Sequence, residues 1–263
     1  MDNRRELLNR YVSQPEDRIL LGRILDLAGQ AERRNYPVAT RFLDPRQQTL
    51  ASALLREAGV PFALFGGYEG AERRVAVLGE PNPTPELLER ACGITLLQAD
   101  TATEGLGHRD YLGALMGLQI TRELIGDILV QEHGAQLLVC ESCADFLQEN
   151  LTGAGRARLT LRALPLSELR PAEQQGEELR VTVASPRLDA VLAAALPMSR
   201  TAAAEHIATG RVLVSSLVCQ KPDRLLQEGD VITLRGTGRL LLEQIGGTTR
   251  KGRTVLTLQR FGR

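Results

Sequence analysis

Two cysteines three positions apart are the first residues in this sequence whose type and spacing could do chemistry. Cys140 and Cys143 lie at the predicted junction of a strand and a helix. A helix start lowers the pKa of a nearby thiol, so the spacing is typical of dithiol redox sites or of half a zinc site. The chain has only four cysteines, no second pair that would complete a zinc site, and no tryptophan. The sequence therefore favours two cysteines that pack in a core.

The three histidines do not form a catalytic constellation. His108, His133 and His206 are scattered, and His108-Arg109-Asp110 is the one cluster to test for chemistry. A catalytic site needs a nucleophile, a base and an orienting group within reach of one another. The loop at 105–107 has two glycines but lacks the third glycine and the acidic partner of a dinucleotide site. We therefore expect no catalytic residue, no cofactor and no metal.

Arginine is the residue type that clusters, and the chemistry it suits is phosphate binding. The stretch from Arg180 to Arg263 carries 13 basic residues against six acidic ones, a net charge of +7, and the remainder of the chain carries −7. The totals of 32 basic and 32 acidic residues hide this division. Planar guanidinium groups make bidentate contacts with phosphate. A basic segment joined to an acidic one therefore indicates a polyanion partner.

Local patterns place two of these arginines where helices begin. Arg187 opens a short predicted helix, and Ser199 caps a second one that begins at Arg200 and that Gly210 ends. The free backbone N–H groups and the dipole of a helix start already favour phosphate. We expect both guanidinium groups to face the same stretch of sugar-phosphate chain.

The remaining patterns predict an α+β protein with three small domains. Residues 1–80 are expected to form an N-terminal α/β domain with two leading helices, a strand over residues 38–43 and a helix that Gly59 ends. Residues 81–170 are expected to form a central α+β sandwich. The small residues Gly113, Ala114 and Gly117 predict a helix that lies close to a sheet or to RNA. Residues 177–263 form the third predicted domain.

Composition places the chain among globular proteins. It has 263 residues, 43% of them hydrophobic and 24% charged, which suits two or three compact domains. No run approaches the roughly 18 apolar residues of a membrane helix. The opening Met-Asp-Asn-Arg-Arg-Glu is unlike a secretory leader. We expect a cytoplasmic protein with no membrane partner.

Several positions in the basic stretch carry a family resemblance. They are Arg187-Leu188-Asp189, Ser199-Arg200, Ile207, Gly210-Arg211-Val212, Lys221-Pro222 and Gly229-Asp230-Val231-Ile232. Together they resemble the alpha-L RNA-binding module first named in ribosomal protein S-four. The sequence departs from that pattern at Ser215-Ser216, where an Asn-Gly turn would be usual, because serine tolerates left-handed geometry less well.

Other segments resemble the bacterial YlmH-type RNA-binding proteins. They are Asp110–Leu118, Arg122-Glu123, Gly126–Ile128, Arg235–Arg239 and Thr249–Arg253. The resemblance implies an N-terminal α/β domain, a central RRM-like (RNA-recognition-like) domain and a C-terminal S-four-type module. It also implies binding to ribosomal RNA and tRNA on the large ribosomal subunit, in the rescue or quality control of stalled subunits that carry peptidyl-tRNA.

The expected RNA-binding residues all lie in the predicted module. All are positively charged except Ser199, whose hydroxyl caps a helix. They are Arg187, Ser199, Arg200, Arg211, Lys221, Arg235, Arg239, Arg250, Lys251 and Arg253. Such cations would neutralise about 5 to 7 phosphates, so binding should weaken steeply as salt rises. Aromatic residues make up only 3% of the chain. Reading of structured RNA by shape is therefore favoured over stacking of single-stranded bases.

Two other hypotheses stay open. An RNA-modifying enzyme of the pseudouridine synthase or methyltransferase type would use the module for substrate binding, although in those enzymes the module usually leads the chain. An adaptor would contact a protein partner through its acidic first two-thirds and RNA through its basic module. The sequence favours an RNA-binding protein that is not an enzyme.

Overall fold

The protein consists of two compact units. The computed structural model describes residues 2–12, 14–171, 176–250 and 252–261. The units are Met1–Ala172 and Glu173–Arg263. Each contains a hydrophobic core and combines helices with antiparallel sheets. The predicted α+β class is therefore confirmed.

The first unit opens with three helices and a small sheet. The helices are α1 (Asp2–Tyr11), α2 (Pro15–Arg34) and α3 (Pro45–Glu57), and the antiparallel strands, in spatial order, are β1 (Val38–Ala39), β3 (Val75–Leu78) and β2 (Phe62–Phe65). Asp17 joins α2 to α3. Its carboxylate, 3% exposed, accepts hydrogen bonds from Nη1 and Nη2 of Arg46 at 2.8 and 2.7 Å. A carboxylate so removed from water requires such a partner.

The strand expected over residues 38–43 is only partly confirmed, because Val38–Ala39 form a strand and, of the other four residues, only Leu43 pairs again, in an isolated bridge with Arg74. Thr40 ends the ladder: its Oγ1 accepts the hydrogen bond from Ala76 N at 2.9 Å, a place that a backbone carbonyl would otherwise take. The chain then turns toward the rest of the unit, and Phe42 N donates to Glu123 O at 2.9 Å. The Phe42 ring enters the core and is 1% exposed.

The rest of the first unit is a four-stranded antiparallel sheet with helices packed against it. The strands, in spatial order, are β5 (Ile125–Gln131), β6 (Gly134–Cys140), β4 (Ile94–Asp100) and β9 (Thr160–Leu164). The helices are α4 (Pro85–Ala91), α5 (His108–Gly117) and α6 (Glu141–Asn150), and a separate pair joins β7 (Gly153–Ala154) to β8 (Ala157–Arg158).

One hydrophobic core runs through both parts of the first unit. Val75 and Val77 of the small sheet belong to the same cluster of buried side chains as Leu97 and Leu137 of the large sheet. Phe42 lies over Gly126, where a Cβ atom would come within 2.6 Å of the ring. Glycine at that position is therefore what lets the ring approach the sheet. Residues on both sides of position 80 thus contribute to a shared core.

Asp127 on β5 ties the loop between β2 and β3 to the large sheet. Its carboxylate accepts hydrogen bonds from Tyr68 Oη at 2.8 Å, from Glu72 N at 2.7 Å and from Arg73 N at 2.9 Å. Burial, and then the hydrogen bond to Asp127, raise the pKa of Tyr68. The phenol therefore stays protonated and keeps donating to the carboxylate.

Of the two expectations for the small residues of α5, close approach to a sheet or to RNA, the structure does not show the first for Gly113 and Gly117, and the second stays a prediction. A Cβ atom added to Gly113 or Gly117 would meet no atom within 4 Å, and both glycines are exposed. Tyr111 and Leu115 make the core contacts of α5 and are fully buried. The glycines instead form an open strip on the surface of the first unit.

The second unit is a six-stranded antiparallel sheet with a helical hairpin. In chain order the elements are β10 (Glu177–Val183), α7 (Leu188–Ala195), α8 (Arg200–Ala208), β11 (Val212–Val214), β12 (Leu217–Val218), β13 (Val231–Leu234), β14 (Gly238–Thr248) and β15 (Thr254–Phe261). The spatial order of the strands is β10-β15-β14-β13-β11-β12. The predicted cap of α8 is confirmed, because Ser199 Oγ accepts from Ala202 N at 3.1 Å.

Two serines make the turn between β11 and β12. Ser215 and Ser216 both have left-handed backbone conformations, with φ of 48° and 66°. Such a turn favours Asn-Gly because both central residues need positive φ. Here the Ser215 hydroxyl donates to Asp230 Oδ1 at 2.9 Å, and Ser215 N donates to Val231 O at 2.7 Å. These two bonds hold the serine turn in place.

We expect Ser216→Gly to stabilise the second unit, because glycine adopts a φ of 66° without the steric strain of a side chain. The expected gain is about 0.5–1 kcal/mol, or an increase of roughly 1–4 °C in Tm by differential scanning calorimetry. Ser142→Gly in the helix α6 is the matched control and should lower stability, because glycine disfavours helix. A loss of stability in both variants would contradict this account of the turn.

Tyr111→Phe is also expected to stabilise the protein. The Tyr111 hydroxyl is buried and has no hydrogen-bond partner among the described residues. An unpaired buried hydroxyl costs about 1–3 kcal/mol, so its removal should raise Tm by roughly 2–12 °C in a thermal melt. The matched change Tyr68→Phe removes the donor to Asp127 and should lower Tm instead. Equal changes in Tm for Tyr111→Phe and Tyr68→Phe would contradict this account, because the loss of the hydroxyl would then have the same effect with and without a hydrogen-bond partner.

Candidate nucleic-acid interface

The predicted RNA-binding residues lie in the second unit but do not converge on one point. Arg187, Ser199 and Arg200 lie where α7 and α8 begin; Arg211, Arg235 and Arg239 lie at one end of the sheet; Arg250 and Arg253 lie in the turn after β14; Lys221 lies in the loop after β12. Lys251 lies outside the described residues. The cations are therefore distributed over the unit as separate groups.

Arg187 and Arg200 meet on one carboxylate. Asp189 is 5% exposed, and its oxygens accept hydrogen bonds from Nε and Nη2 of Arg187 at 3.1 and 3.2 Å. Nε and Nη2 of Arg200 bind the same two oxygens at 3.0 and 3.3 Å. The two guanidinium groups thus lie side by side, as the helix starts indicated. Asp189 reduces their combined charge, and the sequence did not predict that this acid pairs with both arginines.

The pairing keeps Asp189 ionised. Burial on its own would raise the pKa of this carboxyl group. The hydrogen bonds from Arg187 and from Arg200, together with their positive charges, outweigh burial and hold the pKa below its usual range. The group of three side chains therefore carries a net charge of +1 near neutral pH.

The start of α7 is not open to phosphate, which corrects the expectation of two equivalent helix starts. Leu188 N donates to Arg224 O at 2.9 Å and Asp189 N donates to Pro222 O at 3.0 Å. Ala190 N donates to the Asp189 carboxylate at 2.8 Å. The loop that follows β12 thus covers this helix end and brings Lys221 beside it. An anion at α7 would have to bind side chains, because the backbone donors are already used.

Arg211 and Arg235 form a second cationic pair. Arg235 N donates to Arg211 O at 3.1 Å, one step beyond the paired residues Val212 and Leu234. Both arginines are exposed, and Nη1 of Arg211 lies 3.3 Å from Nδ1 of His206. Neither guanidinium group is bonded to an acidic side chain in the part of the chain that the structure describes. This pair therefore keeps its full positive charge.

Further cations lie at the two ends of β14. Arg239 lies near the beginning of this strand, and Arg250 and Arg253 follow its end. Two register shifts in β14 set Arg239 to Thr248 opposite only seven residue steps of β15, from Phe261 to Thr254, so at about 3.3 Å a step the two ends are roughly 23 Å apart. Arg253 N donates to Thr249 Oγ1 at 3.1 Å, which shapes the turn, and Arg250 is exposed. The arrangement suits an extended polyanion better than a small anionic molecule.

The role of Asp189 was missed from the sequence, although a signal was present. It is the single polar residue of α7, whose other residues are leucine, valine and alanine. An acid in such a helix that lies close to two arginines is expected to be paired. Local patterns do not show which arginines reach it, because the bond to Arg200 joins two different helices.

The cysteine pair is buried, in agreement with packing and against a lowered thiol pKa. Burial raises the pKa of Cys140 to about 11 and also raises the pKa of Cys143. Sγ of Cys143 donates to Cys140 O at 3.1 Å. In the described residues no group of three or more His, Cys, Asp or Glu side chains could hold a metal ion.

We expect the thiols of Cys140 and Cys143 to react slowly with Ellman's reagent in the folded protein. With a pKa of about 11 for Cys140, roughly one molecule in a thousand carries the thiolate there at pH 8. The thiols should become reactive only when guanidinium chloride unfolds the chain. A fast phase in the native protein, lost in Cys140→Ser, would contradict the buried assignment.

None of the helices within the described ranges is both long enough and apolar enough to cross a bilayer.

Comparison with known proteins gives two family matches within the first unit. Residues 16–82 match the model described as "YlmH, N-terminal", and residues 94–168 match the one described as "Putative RNA-binding domain in YlmH". The chain is 37% identical over 221 residues to "Ribosome-associated protein quality control protein P2" of Bacillus subtilis (strain 168). That alignment covers 84% of this chain and 86% of the relative.

A solved structure supports the same fold. The "Cell division protein ylmH from Streptococcus pneumoniae" aligns with a TM-score of 0.50 and 24% sequence identity. The alignment covers 60% of this chain and 96% of that chain. At this identity the likeness is informative about the fold alone.

Proposed function

Because the chain belongs to the YlmH family, we propose that it is an RNA-binding protein of ribosome-associated quality control. The observation that carries the proposal is the exposed pair Arg211 and Arg235 at one end of the sheet of the second unit, to which Arg250 and Arg253 after β14 add further exposed cations. The name of the Bacillus subtilis relative, and the RNA-binding description of the family model, support the same role. We further propose that the bound RNA is structured ribosomal RNA and tRNA on the large subunit, where stalled peptidyl-tRNA remains.

The physical basis of binding in this proposal is the release of counterions from RNA phosphates. Arg211 and Arg235 keep their full charge, whereas Arg187 and Arg200 share theirs with Asp189. The whole set would neutralise about five phosphates, so affinity should fall steeply with salt. Because the cations lie at both ends of β14, roughly 23 Å apart, the second unit would recognise the shape of a folded backbone rather than one base.

The first unit has a different role in the proposal. The segment matched as an RNA-binding domain, residues 94–168, contains ten acidic and five basic residues, so its net charge opposes non-specific binding to RNA. We assign to the acidic first unit a contact with a protein partner in the cytoplasm. We propose domains at 1–80, 81–170 and 177–263: the separate family matches to residues 16–82 and 94–168 support the first two, which share a core, and the compact unit Glu173–Arg263 supports the third. We propose no catalytic step for any of the three.

Sedimentation with purified ribosomal subunits tests the proposal. The wild-type protein should migrate with the large subunit and not with the small subunit. The variant with Arg211→Glu and Arg235→Glu should lose this migration, because two free cations become anions without a new buried charge. Arg33→Glu with Arg90→Glu changes the net charge equally on the exposed surface of the first unit and should leave migration intact.

Two outcomes would refute the ribosomal role. One is co-migration of all three forms, because binding would then not depend on the cationic pair. The other is the absence of migration for the wild type. Altered nucleosides in RNA incubated with the protein, measured by mass spectrometry, would favour the RNA-modifying alternative instead.

A further inference from the structure

The guanidinium groups of Arg187 and Arg200 bind Asp189 on their buried side and are partly exposed to solvent. The side chain of Asp189 is 7% exposed, whereas those of Arg187 and Arg200 are 37% and 57% exposed. Each arginine uses its Nε and Nη2 edge for the carboxylate. The Nη1 groups make no contact with an acid in the described part of the chain, so they remain open to an external anion. The buried carboxylate thus holds the two arginine side chains in one orientation.

We propose that Asp189 is a positioning residue for RNA binding, which fixes Arg187 and Arg200 as a single clamp for backbone phosphate. The proposal rests on the RNA-binding function proposed above for the second unit. A free arginine has many rotamers and loses them when it binds phosphate. A guanidinium group already bonded along one edge loses fewer, so binding costs less conformational entropy. Two such groups on one carboxylate are also close enough to grip the same phosphate or adjacent ones.

Charge alone gives the opposite expectation for Asp189. A carboxylate beside two arginines lowers the local potential and opposes a polyanion, so its neutralisation should strengthen RNA binding. If Asp189 instead positions the two arginines, its neutralisation should weaken RNA binding, because a neutral side chain would release both guanidinium groups from their fixed orientation. The sign of the change in affinity therefore distinguishes the two explanations.

Asp223 provides a matched control. It is an exposed acid in the loop beside the start of α7, and its charge acts on Arg187. Asp223→Asn removes the same single negative charge as Asp189→Asn but breaks no hydrogen bond of the clamp. RNA extracted from large ribosomal subunits is the probe, and filter binding by the full chain is measured over a range of salt concentrations.

We expect Asp189→Asn to weaken RNA binding about tenfold and to reduce the slope of log affinity against log salt by about one, since one phosphate contact is lost. Asp223→Asn should bind as tightly as the wild type or more tightly. If Asp189→Asn also binds as tightly or more tightly, the positioning role is refuted. Wild-type protein that does not bind the RNA, or binding that persists in the Arg211→Glu and Arg235→Glu variant, would refute the proposed function itself.

A second pair of variants covers the case in which Asp189→Asn unfolds. Arg187→Lys and Arg200→Lys preserve every charge and leave Asp189 a cation to pair with, but they lack the planar fork that reaches carboxylate and phosphate at once. We expect each to keep the wild-type Tm within a few degrees and to lose about fivefold in affinity. If both lysine variants bind RNA with wild-type affinity, the clamp proposal is refuted, because a positive charge without the planar guanidinium group would then be enough for binding.

Discussion

A carboxylate removed from water must find partners, and this requirement organises both units of the protein. Asp17 joins α2 to α3 through Arg46, and Asp127 joins a loop of the small sheet to the large sheet. Asp189 joins the two helices of the second unit through its arginines. Asp17 and Asp189 are buried and Asp127 is partly buried, and each accepts a hydrogen bond from at least one group on another element. These three residues thus fix the relative placement of elements that hydrophobic packing alone would specify less closely.

The same requirement changes how the positive charge of the second unit is understood. A count of arginines treats every guanidinium group as equivalent, yet the structure contains two kinds. One kind, at Arg211 and Arg235, is exposed and free of acidic partners in the described residues. The other kind, at Arg187 and Arg200, is oriented by a buried acid. In the proposed binding mode the first kind would supply long-range attraction that salt screens, and the second a fixed geometry at short range.

Local signals in the sequence predicted the local structure well. Ser199 before an apolar run and Gly210 after it correctly bounded α8, because a cap needs only residues within one turn. The strand predicted over residues 38–43 is interrupted after Ala39, where the Thr40 hydroxyl accepts a hydrogen bond from a distant strand. The open helix start at Arg187 failed for the same reason, since a loop more than 30 residues later covers it. The sequence around a residue predicts the local backbone conformation of that residue, but it does not predict which segment far along the chain will pair with it.

The contact of Phe42 with Gly126 has a practical consequence for dissecting the chain. The segment matched as an RNA-binding domain begins at residue 94, after the strands and the aromatic ring that cover its sheet. Excised at that boundary, the fragment would expose a bare apolar surface around Leu138, with a glycine at its centre that no neighbouring side chain could fill. Such a piece would tend to self-associate, so biochemical work on this region requires the preceding residues as a covering layer.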